Sequence, residues 1–311
     1  MWFKNLVFYR FTQPFKLNAQ ELQEKLEASP FVPCSSQEAT RFGWTSPMGK
    51  LSEELVHASG NYLLISAKKE EKILPASVVK DFLLDKVEQI EQEQDRKVRK
   101  KERDALKDEI IFELLPKAFS RFQTTSAYID LKEGLLIVDA SSAKRAEDLS
   151  SFLRKTLGSL PVTIPAMNSA PSAIMTQWLS EESSLAAGFE LGDEAELKDP
   201  RENGAIIRCK QQELVGEEID VHLKAGKQAV KLALHYADNL SCVAGDDLIL
   251  RRLKFSDLVL EKAAEMGAED AAAAFDADFT LMAMELSTFI PHLLEALGGE
   301  NKDAYAPAIA V

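Results

Sequence analysis

Apolar positions recur along the chain with two periods, and they predict alternating strands and helices. Residues 2–12 alternate and are rich in aromatic and β-branched types, which predicts a strand. Asn18 reads as the N-cap of a helix over Ala19–Ala28, with Leu22, Leu26 and Ala28 at helical spacing. Pro30 and Pro33 end it. Phe42-Gly43-Trp44 and Pro47-Met48-Gly49 read as tight turns near a strand. Tyr62–Ala67, an apolar run between Gly60 and Lys68-Lys69, reads as a buried strand.

Pro75 opens a long helical region. Val78, Phe82, Leu83, Val87 and Ile90 make one apolar face, and beyond Ile90 that face disappears. Between Glu91 and Asp104 the only clearly apolar residue is Val98. A helix that is polar all round projects or bridges, because nothing drives its burial. Apolar spacing resumes at Leu106, Ile110, Ile111 and Leu114, and Pro116 stops it. Residues 76–116 therefore read as a projecting arm of two helices, with a turn near Lys101–Asp104.

Tyr128–Leu131 and Leu135–Asp139 flank Lys132-Glu133-Gly134, a hairpin signal with Gly134 at the turn. Ser142 caps a helix through Thr156, and Gly158 follows its end. Val162–Ile164 reads as a strand and Ser172–Leu179 as a helix. Further on, Gly204–Lys210, Gln228–Tyr236 and Leu248–Lys254 read as strands, with a short one over Leu240–Val243 and a turn at Gly245-Asp246-Asp247. Gly216–Ala225 reads as a helix. The rest is helical: Met282, Leu286, Phe289 and Ile290 lead to Leu293, Leu294 and Leu297, until Gly298-Gly299. The last residues are expected to be disordered. The fold class is α+β, with mixed antiparallel sheets and helices. Residues 1–75 and 117–180 are expected to form a central domain, 76–116 the arm, and 181–311 a base domain with an acidic helical tail.

A chain of 311 residues, 46% apolar and 28% charged, is ordinary for a soluble globular protein. Cys34, Cys209 and Cys242 are odd in number and far apart, which fits a reducing compartment. No apolar run approaches the ~20 residues that span a bilayer. The first ten residues read as a strand rather than a signal peptide. A cytoplasmic location with no membrane partner is expected.

Charge changes the picture more. The chain carries −13, yet seven of the twelve residues from Arg96 to Lys107 are Lys or Arg and two are acidic, a local +5. From Phe255 onward the balance is −9. A basic stretch in an acidic protein is either a solvated helix face or a surface for a polyanion, of which phosphate backbone is the commonest. On a continuous helix Arg96, Lys100, Arg103 and Lys107 would form one stripe, with Lys97 and Lys101 beside it. Lys117-Ala118-Phe119-Ser120-Arg121-Phe122 interleaves cations with aromatics where the arm re-enters the body. Phe122 reads as core. Phe119 stands open between core and an aromatic that wedges or stacks on bases. Lys68-Lys69, Lys144-Arg145, Arg154-Lys155 and Arg251-Arg252 read as solvated pairs.

The usual catalytic patterns are missing from the sequence. Gly226-Lys227 is followed by Gln228 and lacks the upstream glycine of a phosphate-binding loop. His57, His222, His235 and His292 show no zinc spacing with the cysteines. Asp276 and Asp278 could face one ligand on a strand, but they read more simply as acids capping the final helix, with Asp278 at its N-cap. No catalytic residue, metal site or cofactor is assigned. Two rival classes stay open: an acidic interaction protein whose basic arm binds a protein, and a nuclease using Asp276, Asp278 or other carboxylates with Mg²⁺.

Several blocks resemble the recombination-associated RdgC family of bacteria. They are Trp2-Phe3-Lys4-Asn5-Leu6, Lys69-Glu70-Glu71-Lys72-Ile73-Leu74-Pro75, Leu114–Phe122, Leu157-Gly158-Ser159-Leu160-Pro161, Asp193–Lys198, Leu253-Lys254-Phe255 and Phe275-Asp276-Ala277-Asp278-Phe279. The resemblance implies a non-enzymatic protein that binds DNA with little sequence preference. It implies horseshoe-shaped monomers that meet at two interfaces as a ring-shaped homodimer around a basic hole able to hold duplex DNA. It also implies restraint of RecA-driven recombination by occupying DNA, and association with the nucleoid. By the same resemblance Phe119, beside Lys117 and Arg121, matches an aromatic finger near the ring, and Arg96 matches a basic arm position. Arg208-Cys209-Lys210-Gln211-Gln212 matches a segment linked to DNA contact or to the ring's gate. Cys209 and Gln211 depart from the family pattern there, so the segment points to Lys210 and Gln212.

Overall fold

A computed structural model describes residues 1–201, 203–267 and 270–305. The expected disorder of the last residues falls from 306 onward outside the described residues. Before that point the chain is ordered by a short 3-10 turn, Lys302–Tyr305.

In chain order, β1 (Leu6–Phe11) leads to α1 (Ala19–Leu26). A reciprocal capping box starts α1: Asn18 Oδ1 accepts from the Glu21 N–H and Glu21 Oε2 from the Asn18 N–H, each at 2.9 Å. Then come β2 (Thr40–Thr45), β3 (Val56–Ser59) and β4 (Tyr62–Ile73), followed by α2 (Ala76–Gln94) and α3 (Lys100–Leu114). β5 (Phe119–Asp130) and β6 (Leu135–Asp139) are joined by the expected turn, where Gly134 takes φ +64. α4 (Ala143–Leu157) starts at Ser142, whose hydroxyl accepts from the Arg145 N–H, and ends at the left-handed Gly158. β7 (Val162–Thr163), α5 (Pro171–Ser180), β8 (Phe189–Lys198), β9 (Ile206–Lys210) and α6 (Glu217–Lys224) follow. β10 (Gln228–Tyr236), β11 (Leu240–Gly245), β12 (Leu250–Phe255), α7 (Asp257–Met266) and α8 (Ala271–Ala296) complete the order. The fold is α+β with antiparallel ladders, as the sequence indicates.

The chain divides into two compact units. The first comprises Met1–Lys25, Ser46–Ser66 and the chain from Thr125 onward. In it β5, β6, β1, β12, β11, β10, β8 and β9 are neighbours in that order, with β3 on β4 and β7 on β1. The seam between β1 and β12 is narrow: Leu6↔Leu250 is its one register pair, helped by Leu253 N–H to Lys4 O at 2.8 Å. The core compensates for that short ladder. Phe279, Met282, Leu286 and Ile290 of α8 belong to one buried cluster with Phe3 and Tyr128 on one side of the seam and Leu232 and Leu250 on the other.

Three sequence readings need correction in this unit. β8 carries Gly192, Asp193, Glu194 and Glu196, a composition poor in strand formers, and it went unread as a strand. Two register shifts against β10 interrupt its alternation as well. Asp276 and Asp278 lie inside α8, neither on a strand nor at its start. The N-cap is Asp270, whose side chain accepts from the N–H groups of Ala272 and Ala273. Two residues apart on a helix, the two carboxylates point to different sides. Asp276 Oδ1 meets His57 Nε2 at 3.0 Å, and Asp278 pairs with the Met1 ammonium.

The second unit comprises Leu26–Thr45 and Ala67–Thr124. It holds β2, the outer parts of β4 and β5, and the α2–α3 hairpin. Phe42-Gly43-Trp44 is not a turn but the middle of β2. A Cβ on Gly43 would lie 2.3 Å from the Phe31 Cα, so glycine there permits a close backbone approach. β4 continues past Ala67 through Lys68-Lys69-Glu70-Glu71-Lys72, because its ladder bonds go to neighbours on both sides whatever the side chains carry. Buried Glu70 finds partners there: Ser120 Oγ donates to it at 2.5 Å and the Cys34 N–H at 2.6 Å. These two bonds hold its carboxyl below the ordinary value.

Candidate nucleic-acid interface

Six of the residues assigned to DNA from the sequence fall in the α2–α3 hairpin. Its core is small: Val79, Leu83 and Ile110, with Leu74, Val87, Leu106, Ile111 and Leu114 packed against them. The inward face of α2 keeps Leu83 and Val87 of the expected one and differs at two positions. Val79 rather than Val78 faces α3, and Phe82 is exposed. The pattern 79, 83, 87 fits the helical period, but Phe82 beside Leu83 hid it.

The turn comes earlier than Lys101–Asp104. Asp95 ends α2 in left-handed backbone (φ 45, ψ 43), a conformation that Asp tolerates. Glu91 then ties the turn. Its Oε1 accepts from the Val98 N–H at 2.9 Å and its Oε2 from Lys97 Nζ at 2.7 Å. Arg96 lies off the helices and grips Glu102 with both guanidinium ends, at 2.7 and 2.6 Å. These contacts hold both carboxyls below the ordinary value, Glu91 chiefly through Lys97 and Glu102 chiefly through Arg96. Each helix end carries the charge its own dipole disfavours: acids close α2, and Lys100 and Lys101 open α3. Side by side in the hairpin, the two ends compensate each other.

The basic stretch therefore does two different things. Arg96 and Lys97 close the turn, as ion pairs do in a solvated structural surface. Among the described residues, Lys100, Lys101, Arg103 and Lys107 form no ion pair with a carboxylate. Lys100, Arg103 and Lys107 share a face of α3. The expected stripe is thus a stripe of three, with Arg96 outside it.

Lys117, Phe119 and Arg121 sit at the other end of α3, whose 15 residues span about 22 Å. Phe119 starts β5 and is 84% exposed. Arg121 pairs with Glu71 at 2.8 Å. Phe122 is not core: it is 52% exposed and covers Lys68, whose Nζ lies 4.7 Å from the ring centroids of both Phe122 and Phe31. This aromatic clamp on a lysine went unread. Its signal was the strand period, which carries Lys68 and Glu70 onto one face of β4 once the strand runs past Ala67.

Lys210 and Gln212 belong to the first unit. Lys210 stands opposite Glu194 across β8 and β9, with Nζ 4.0 Å from its carboxylate. Gln212 donates from Nε2 to Glu218. With Asp193, Glu182 and Glu213 it lines an open groove of about 840 Å³. Cys209, just before Lys210, is buried, and desolvation raises its thiol above the ordinary value. No helix among the described residues is long and apolar enough to cross a membrane.

These features define an α+β protein with a helical hairpin, one face of which carries cations that form no ion pair among the described residues, and with an exposed aromatic at the hairpin's root. A family model described as "Putative exonuclease, RdgC" matches residues 1–300. The chain is 51% identical to the recombination-associated protein RdgC of Aeromonas hydrophila over 302 residues, 97% of this chain and 99% of that one. It is 50% identical to that of Tolumonas auensis over 303 residues, 97% and 100% of the two chains. It is also 50% identical to that of Pseudomonas aeruginosa over 302 residues, 97% and 98%. The chain belongs to the RdgC family.

Proposed function

We propose that the protein is a sequence-tolerant DNA-binding protein that acts in recombination. The observation that carries this reading is the α3 face of Lys100, Arg103 and Lys107, three neighbouring cations that form no ion pair with a carboxylate among the described residues. Such cations displace counterions from phosphates without reading base edges, so binding is salt-sensitive and indifferent to sequence. Membership of a family whose relatives are named recombination-associated supports the biological setting. Lys101, Lys117 and Arg121 add phosphate contacts, and the exposed Phe119 ring stacks on or wedges between bases. Arg96 and Lys97 contribute mainly by holding the turn. Lys210 and Gln212 contact DNA from the first unit.

In this reading horseshoe-shaped monomers close into a ring-shaped homodimer around duplex DNA. By occupying that DNA in the cytoplasm, at the nucleoid, the ring restrains RecA-dependent recombination. No cofactor takes part and the DNA is left uncut. The family description of a putative exonuclease makes cutting the reading to test against. Asp276 and Asp278 offer it little support, since each is engaged with a different partner. Two labelled duplexes of unrelated sequence should be shifted equally in moderate salt, and should stay intact with Mg²⁺. A shift confined to one sequence, or Mg²⁺-dependent shortening, would overturn the reading.

A further inference from the structure

The first unit carries a second, differently built set of cations on the open face of its sheet. Across β8 and β9, Glu196 is opposite Arg208 and Glu194 is opposite Lys210; across β8 and β10, Lys231 is opposite Glu196. The alternate residues Ala195, Leu197 and Cys209 point into the core, so these charged side chains share the other face. Glu196 receives Arg208 Nε at 2.8 Å and Lys231 Nζ at 3.1 Å. Glu194 receives Arg252 Nη2 at 2.6 Å and Lys210 Nζ at 4.0 Å.

Arg252 comes from β12, with β11 and β10 between it and β8. It lines a small cavity with Glu194, Ala233 and Val243, so its arm crosses the sheet above short side chains. Arg252 holds left-handed backbone (φ 52) at the register shift in the middle of the β11–β12 ladder, between the Ser241↔Lys254 and Val243↔Arg251 pairs. A bulge at this place re-aims its side chain toward β8.

Four cations thus converge on two carboxylates, and the cluster keeps an excess of two positive charges. Burial pushes the Glu196 carboxyl up, but the bonds from Arg208 and Lys231 outweigh it and hold the group below its ordinary value. Glu196 is therefore ionised at neutral pH, and the two acids occupy the positions that phosphate oxygens would take between the same cations.

We propose that this sheet face is a second DNA-phosphate surface and that Glu194 and Glu196 are its built-in competitors, which DNA must displace. The inference rests on the DNA-binding reading and adds to it a brake on affinity. Each carboxylate released by DNA draws a counterion back from solution. The brake therefore lowers affinity and flattens the salt dependence together.

The test compares Glu194→Gln/Glu196→Gln with wild type and with Glu261→Gln/Glu265→Gln, which removes the same charge from the exposed side of α7. Duplex binding is followed by fluorescence anisotropy across a salt series. The sheet variant is expected to bind roughly tenfold tighter at moderate salt, with a salt slope steeper by about 2, and the α7 variant to change far less. Equal gains in the two variants, or none in the sheet variant, overturn the proposal while the DNA reading stands. No binding by wild type overturns both. If four uncompensated cations unfold the double variant, Lys231→Gln/Arg252→Gln serves instead. It should weaken binding by less than the matched loss of Lys100 and Lys107, because its cations begin already paired. An equal or larger loss refutes the competition.

Discussion

Arg10 shows how a single side chain carries structure across the chain. It reaches from β1 to Glu300, donating from Nε at 2.8 Å and from Nη2 at 2.7 Å, and both side chains are largely buried. Tyr305 Oη donates to the same carboxylate at 2.9 Å and accepts from the Ala166 N–H. The residues after α8 are thereby fastened to the first strand. Burial pushes the Glu300 carboxyl up, but Arg10 and Tyr305 outweigh it and hold the group below its ordinary value. A carboxyl depressed in the folded state adds stability above its unfolded value, about 4.3, and loses it as pH falls through the folded value. Arg10→Met should therefore cost about 3–5 kcal/mol in urea unfolding at neutral pH, because it leaves a buried charge unpaired. The gap to wild type should narrow in acid, where Glu300 is protonated in both proteins. A gap that stays constant would mean that lost packing, not lost pairing, sets the cost. Phe119→Ala is the opposite case. Its ring is so exposed that unfolding should change by no more than about 0.5 kcal/mol, while duplex binding weakens. A fall in melting temperature would show the ring to be structural.

At the scale of elements, the hairpin separates cations by job. Lys100→Gln/Lys107→Gln removes two unpaired charges, so the salt slope for duplex binding should become shallower by about 2 with the fold intact. Arg96→Gln should act differently. It frees Glu102 and loosens the turn, which hydrogen exchange at 95–103 would register as faster, with a smaller change in slope. An Arg96 variant with unaltered exchange and a full unit lost from the slope would make Arg96 a direct contact. The sequence made the arm legible because a missing apolar face is a long-range pattern that no single residue can mask. It mislocated the turn because Asp95 ends the helix by its backbone conformation, and Asp in that position leaves no apolar signal. Helix starts at Asn18 and Ser142 were legible for a local reason: the capping side chain and its target lie three residues apart. The outer parts of β4 and β5 and all of β8 were not, because polar residues on a ladder bonded on both sides look like loop. Lys68 between Phe31 and Phe122 shares the cause, since only the pairing of distant strands brings the three together.

For the whole molecule, the distribution of charge matters more than its sum. The protein carries −13, with −9 from Phe255 onward. Two like-charged copies repel each other at long range, while cations on the hairpin would attract a polyanion such as DNA. Both effects are screened by salt, with opposite consequences. Added salt should weaken duplex binding steeply and should leave self-association unchanged or stronger. An encircling ring needs a closed two-fold dimer whose interfaces repeat on both copies. Sedimentation at micromolar concentration should then give a dimer of the 34.5 kDa chain that persists as salt rises. A monomer under those conditions would remove the ring but not the DNA contact, because the Lys100, Arg103 and Lys107 face lies within one chain. A dimer that falls apart with salt would place its interface on ion pairs, contrary to the long-range repulsion between copies. The two salt series together therefore decide which half of the reading holds: one measures the cations that meet phosphate, the other the closure that would keep DNA inside.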